Sequence, residues 1–213
     1  MYISYIYNEE SYPTSKNTHN YSSIFKTMAF SYVKRNIFSI LPILVLLSIT
    51  PLSSSFSPND KVTKELVNQL CSQPTIYKHF CVAWLNSDPK TFTLDLHGLM
   101  GMVIEKTELL GYKNLAMMKG LARTTTDPNL KIPYGSCVTD YESSIKAIEG
   151  AKGFASSKEY LLATKATFEA FNTISDCEAL LEQQPIPAYV SPRNLMFERM
   201  CNIDTVFTNL LAS

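Results

Sequence analysis

The chain has 213 residues, 46% of them hydrophobic, and its 19 lysines and arginines are balanced by 19 aspartates and glutamates. That length supports one domain with a real core, and the charge balance removes the electrostatic basis for binding nucleic acid or another polyanion. All seven glycines fall at or after Gly98, and prolines cluster between apolar-periodic runs, which suits helices joined by short turns better than a sheet.

Residues 1–27 are rich in Tyr, Ser and Asn and carry no sustained apolar period. They are predicted to be an unstructured tail, or an extension ahead of a translation start at Met28. Met28 opens a stretch containing Lys34 and Arg35, Ile37 to Ile49 is an apolar-dominated run, and Ser53-Ser54-Ser55 follows, so 28–55 reads as a secretory signal peptide. The run is shorter than the roughly 20 residues needed to cross a bilayer, and Pro42 and Pro51 weaken a membrane helix further. The domain itself is predicted over 59–213.

Within it, Val62, Leu66 and Leu70 step by four into Cys71, and Ile76, Phe80, Ala83 and Trp84 continue an apolar face, giving a small helical hairpin. After the break at Asp88-Pro89, Leu96, Leu99, Val103, Leu110, Met117, Met118 and Leu121 mark a long helix ending near Thr124. Gly98, Gly101 and Gly111 inside it point either to close helix contact or to a kink. Leu130, Tyr134, Cys137, Tyr141, Ile145 and Ile148 mark a second helix, predicted to end at Gly150 to Gly153. Phe168, Phe171, Ile174, Cys177 and Leu181 mark a third, capped by Ser156 or Ser157 and stopping before Pro185. The fourth starts with Ser191 as N-cap and Pro192 in the first helical position, then runs through Met196, Met200, Ile203, Phe207 and Leu210. The predicted fold class is therefore all-α: an antiparallel up-down-up-down four-helix bundle preceded by a short N-terminal helical hairpin.

Five cysteines in a signal-bearing chain imply two disulfides and one thiol left over, with the pairing open from sequence alone. Cys201 lies beside Met200 and Ile203 on the apolar side of the last helix and reads as a buried free thiol. No Cys-x-x-Cys or His-x-x-x-His spacing occurs, so no metal is expected, and His79 and His97 read as ordinary surface or partly buried residues. No nucleophile elbow or phosphate-binding glycine loop is present. Glu105 with Glu108, and Glu142 with Glu149, sit at helical spacings that suit a solvated face. Neither catalysis nor a cofactor is expected.

Several stretches together resemble the plant invertase inhibitor and pectin methylesterase inhibitor family. They are Cys71 and Cys81 with Phe80-Cys81-Val82-Ala83-Trp84-Leu85, then Ser87-Asp88-Pro89-Lys90, Leu96 with Gly98-Leu99, Asp127-Pro128-Asn129-Leu130-Lys131, Cys137 with Tyr141, and Cys177-Glu178. The resemblance implies the pairs Cys71–Cys81 and Cys137–Cys177 and a disulfide-stabilised bundle. It also implies a secreted, non-catalytic protein that docks as a 1:1 complex on the active-site cleft of an invertase or a pectin methylesterase in the cell wall or the vacuole. Two sets of target contacts follow from it. Lys158-Glu159-Tyr160 stands where some invertase inhibitors carry Pro-Lys-Phe, and Asp176-Cys177-Glu178-Ala179 stands where pectin methylesterase inhibitors often carry Thr-Cys-Glu-Asp, leaving Asp176 and Glu178 as contacts. The surviving lysine and aromatic tilt the expectation towards the candidate invertase-inhibitor branch. The residues alone also allow a secreted bundle that carries a small hydrophobic ligand, or a non-inhibitory interaction module.

Overall fold

The computed structural model describes residues 56–182 and 184–212; the predicted tail (1–27) and signal peptide (28–55) lie outside the described residues. Helix α1 (Lys64–Leu70) starts where the Thr63 hydroxyl accepts a hydrogen bond from the Leu66 amide at 3.1 Å, and α2 spans Lys78–Ser87. These two form the predicted hairpin, closed by the Cys71–Cys81 disulfide with its Cα atoms 5.6 Å apart. Val67, Leu70, Trp84 and Leu85 turn inward and join the main core, whereas Ala83 is exposed. The arm is tied to the rest by backbone bonds from Val62 N to Leu94 O, Leu96 N to Asp60 O and His97 N to Pro58 O, at 3.1, 2.8 and 2.9 Å. Asn202 Nδ2 also donates to Thr75 O, and the Arg199 guanidinium lies 4.3 Å from the centre of the Tyr77 ring.

A 3₁₀ turn at Thr91–Thr93 leads into the bundle: α3 (Leu96–Thr124), α4 (Pro128–Ser156), α5 (Tyr160–Leu181) and α6 (Val190–Ala212). Asp95 caps α3 by accepting from Gly98 N at 2.7 Å, and Asp127 caps α4 with Pro128 in its first turn. Connections of three residues, 125–127 and 157–159, force neighbouring helices antiparallel. Each helix packs on the next, and α3 meets α6 to close the ring. The described residues hold no β-strand, so the fold is the predicted all-α bundle with a hairpin before it. Leu130, Tyr134, Cys137, Tyr141, Ile145 and Ile148 are all buried along α4, and Cys137 is joined to Cys177 of α5 with Cα atoms 4.8 Å apart.

Four local expectations are corrected. Helix α4 does not end at Gly150 to Gly153 but runs through both to Ser156, because Ile148, Ala151 and Ala155 on its inner face stay in the core and outweigh the glycine penalty. Ser156 and Ser157 do not cap α5. Ser156 Oγ donates back to Lys152 O and Ser157 is the C-cap of α4, while Glu159 occupies the N-cap of α5 without a side-chain bond. Phe168 is 52% exposed and stacks on Phe171, since the inward stripe of α5 runs instead through Tyr160, Ala163, Thr167, Ala170, Ile174, Cys177 and Leu181. Helix α6 begins at Val190, which places Ser191 and Pro192 already inside it. Gly111 resolves the choice left open for the α3 glycines: α3 is continuous, and a Cβ there would stand 2.9 Å from Ile145 Cγ1 and 3.0 Å from Phe197 Cε2. It is a point of close helix approach.

Candidate functional site

The two predicted contact sets sit at opposite ends of α5. From Tyr160 to Glu178 the helix rises about 27 Å at 1.5 Å per residue, so no single narrow cleft can hold both tips.

At the first end, α4 stops in a hydrogen-bonded reversal. Lys158 N donates to Ala155 O at 3.0 Å and Glu159 N to Phe154 O at 2.9 Å, the pair of bonds that defines a Schellman ending. Such an ending needs a left-handed residue, normally glycine, and here Lys158 fills it with φ 61°. Lys158, Glu159, Leu161 and Leu162 are exposed and rim a surface depression of about 420 Å³. Tyr160 does not join them. It is only 8% exposed, and its hydroxyl meets the His97 ring nitrogen Nδ1 at 3.1 Å, which corrects the expectation of an aromatic displayed beside the lysine. Burial also pushes the Tyr160 phenol above its usual range.

At the second end, Asp176 is exposed and Glu178 is half-buried. Glu178 Oε2 accepts from Asn194 Nδ2 at 2.8 Å, Asn194 Oδ1 accepts from the Tyr141 hydroxyl at 2.7 Å, and Asn114 Nδ2 donates both to that hydroxyl and to Arg193 O. One polar chain thus crosses the bundle from α3 through α4 and α6 to α5. Burial pushes the Tyr141 phenol far above its ordinary value, so it acts here as a fixed donor. Glu178, expected as a target contact, is a member of this internal network. The sequence held a signal for it, since Asn114 and Asn194 fall on inward stripes where a polar side chain needs a partner, but the partners lie on other helices.

Beside the network, Cys137, Asp140 and Cys177 bring three potential ligand atoms within 4.8 Å of one another, yet both sulfurs are consumed by the disulfide, so no thiolate is offered to a metal. Burial and the nearby Asp176 push the Asp140 carboxyl upward. Cys201 is the free cysteine and is fully buried. Its thiol is pushed up by burial and by Asp204, the opposite of what activates a nucleophile. Three of the four glutamates with helical spacing are spent on neighbouring helices: Glu108 pairs with Lys152 at 2.8 Å, Glu142 with Lys119 at 2.7 Å, and Glu149 accepts from Tyr112, while Glu105 is exposed. His79 is exposed and His97 is occupied by Tyr160. A separate open groove of about 420 Å³, with Thr75, Lys165, Phe168 and Val206 among its walls, runs between the arm and α5–α6. No described helix is long and apolar enough to cross a membrane.

The chain is 32% identical over 185 residues to a pectinesterase inhibitor of Actinidia deliciosa, covering 86% of this chain and 98% of that one. A candidate invertase inhibitor of Platanus acerifolia is 25% identical, with 71% of this chain and 88% of the relative covered. Among solved structures, a mutant form of an Arabidopsis pectin methylesterase inhibitor superposes with a TM-score of 0.58 at 22% identity, covering 62% of this chain and 88% of that one, which supports the helical fold. The family profile described as plant invertase/pectin methylesterase inhibitor matches residues 65–206. That family consists of enzyme inhibitors and not of enzymes. With hairpin, bundle, bridges and matched span in agreement, the chain belongs to the plant invertase/pectin methylesterase inhibitor family.

Proposed function

We propose that this protein is a secreted, stoichiometric inhibitor of a plant cell-wall pectin methylesterase, binding it as a 1:1 complex and excluding the polymer from its cleft. The observation that carries the choice of target is the burial of Tyr160 against His97, which withdraws the aromatic that would accompany Lys158 into an invertase cleft. The Actinidia relative, matched over 98% of its length, supports the same choice. No covalent step is required. A standard interface buries about 1,600 Å² in total, which one face of a bundle with helices of 22 to 29 residues can supply. In this reading Asp176 is the exposed acid available to the target, and Glu178 stiffens the helix beside it through Asn194. Export through a signal peptide at 28–55 is supported by the two disulfides, which persist in oxidising compartments; the same route leads to the apoplast or the vacuole.

One observation favours an invertase as the target: Lys158 is held in a backbone conformation that costs energy for any residue but glycine, and such outliers cluster at contact sites. Mixing the oxidised protein with a pectin methylesterase and, separately, with an acid invertase at equal molarity decides between them. Loss of esterase turnover with invertase unaffected is expected. The reverse pattern, abolished about tenfold or more by Lys158→Ala, returns the target to invertase, and no effect on either enzyme removes the inhibitory reading.

A further inference from the structure

The side chain of Asp204 is 0% exposed on the inward stripe of α6, and neither carboxyl oxygen has a well-formed hydrogen bond. It lies where α6 meets α3, with the Thr107 hydroxyl as the side chain acting on it from across that seam. Thr107 acts in the opposite direction to burial and more weakly, since its hydroxyl already donates to Val103 O at 3.0 Å; its oxygen can also accept from a carboxylic acid. The charged and titratable groups nearby are engaged elsewhere. On α6, Cys201 is an equally buried thiol, Glu198 accepts from Ser175, and Arg199 lies over the Tyr77 and Phe80 rings. On α3, the residues flanking Thr107 are Lys106, paired with Asp88, and Glu108, paired with Lys152. From α5, Thr164 bonds Thr208 and Thr167 bonds Thr205, while Lys165 lines the outer groove beside Thr205. Among the described residues no cation offsets the burial that pushes this carboxyl well above its usual range.

We propose that Asp204 is carried in the bundle core as a neutral carboxylic acid, whose contribution to folding is greatest in acid and is lost as the pH rises. The sign follows from proton counting. Above its ordinary value of about 3.9 an aspartate in the unfolded chain gives up its proton, while the folded chain keeps it; the unfolded state then binds fewer protons and gains with each step in pH. The unfolding constant rises about tenfold per pH unit until the folded carboxyl itself ionises. Asp140, raised by burial, contributes with the same sign, and Asp88, lowered by Lys106, with the opposite sign, so the effect must be read as a difference between two chains.

Denaturant titrations of the oxidised wild type and of Asp204→Asn, repeated from mildly acidic to mildly alkaline pH, supply that difference. The ratio of the two unfolding constants is expected to change by about tenfold per pH unit above the ordinary aspartate range, with wild type losing ground as pH rises. A ratio constant to within about threefold across the series overturns the proposal. Should Asp204→Asn not fold, a carboxyl carbon NMR titration of the native wild type decides instead. An Asp204 signal that titrates at the ordinary carboxylate pH refutes it, and one that stays protonated beyond that range upholds it.

Discussion

The α4–α5 and α3–α6 seams of one bundle are built on opposite terms. Between α4 and α5 the buried side chains are small: Ala151, Ala155, Ala163 and Ala170 are each at most 2% exposed, and Ser144 Oγ reaches Ala170 O at 3.1 Å. Small side chains let the helices approach, which gives the most closely packed seam of the four and places Cys137 and Cys177 within bonding reach. Between α3 and α6 lie Thr107, Asp204 and the Phe197 ring over Gly111, and no covalent tie. One seam is fixed by proximity and a bond. The other, in the proposal above, depends on a buried acid staying uncharged.

Removing the tie tests this contrast most severely. In the chain-entropy picture, closing 40 residues between Cys137 and Cys177 contributes about 3.9 kcal/mol, and closing 10 between Cys71 and Cys81 about 2.7. Cys137→Ala with Cys177→Ala is therefore expected to lower denaturant stability by about 4 kcal/mol, a large share of a domain's net stability. The corresponding arm pair should cost less, and equal losses would show that the close packing of α4 on α5 already does the bridge's work. Next in size is Gly111→Ala. The new methyl group would press on Ile145 and Phe197 across both partner helices, and the expected loss of about 1–3 kcal/mol outweighs the gain of up to about 1 from better helix propensity. Gly101, with nothing within 4 Å of a built Cβ, is the control: Gly101→Ala should stabilise by up to about 1 kcal/mol.

The architecture was legible because helix and core are written in one code, apolar residues at three and four. Along α4 all six predicted inward residues are buried. What failed were local signals that tertiary packing overrides. Gly150 and Gly153 look like a stop, but the helix gains more by keeping Ala151 and Ala155 in the seam than it loses on the two glycines. Phe168 looks like core, yet a bulky ring on the inner face of α5 would hold apart helices that small residues bring together. Asp204 was visible in principle. It follows Phe197 and Met200 on a stripe that continues to Phe207 and Leu211, where an acid should draw attention, although only the fold reveals that no cation meets it. Glu178 and Tyr160 gave no such warning. Their partners Asn194 and His97 are distant in sequence, so both read as available until the helices were placed together.

The smallest effect lies where the close seam begins, in the turn joining α4 to α5. Lys158 at φ 61° holds the position that a Schellman ending gives to glycine, at a cost of about 1–2 kcal/mol for a side chain in that conformation. Glycine relieves the strain but adds freedom to the unfolded chain, so Lys158→Gly should gain about 0.5–1 kcal/mol and raise the thermal midpoint by about 2–3 °C. Lys158→Ala keeps the strain and removes the charge, and should leave stability within about 0.5 kcal/mol. Measured side by side for stability and for inhibition, the two variants separate the roles of this residue. If both lose inhibition while only glycine gains stability, the lysine is retained for its ammonium group at the expense of the fold. If inhibition is untouched in both, the strain at the end of the tightest seam serves no contact, and the docking surface must be sought along the outer face of α5 towards Asp176.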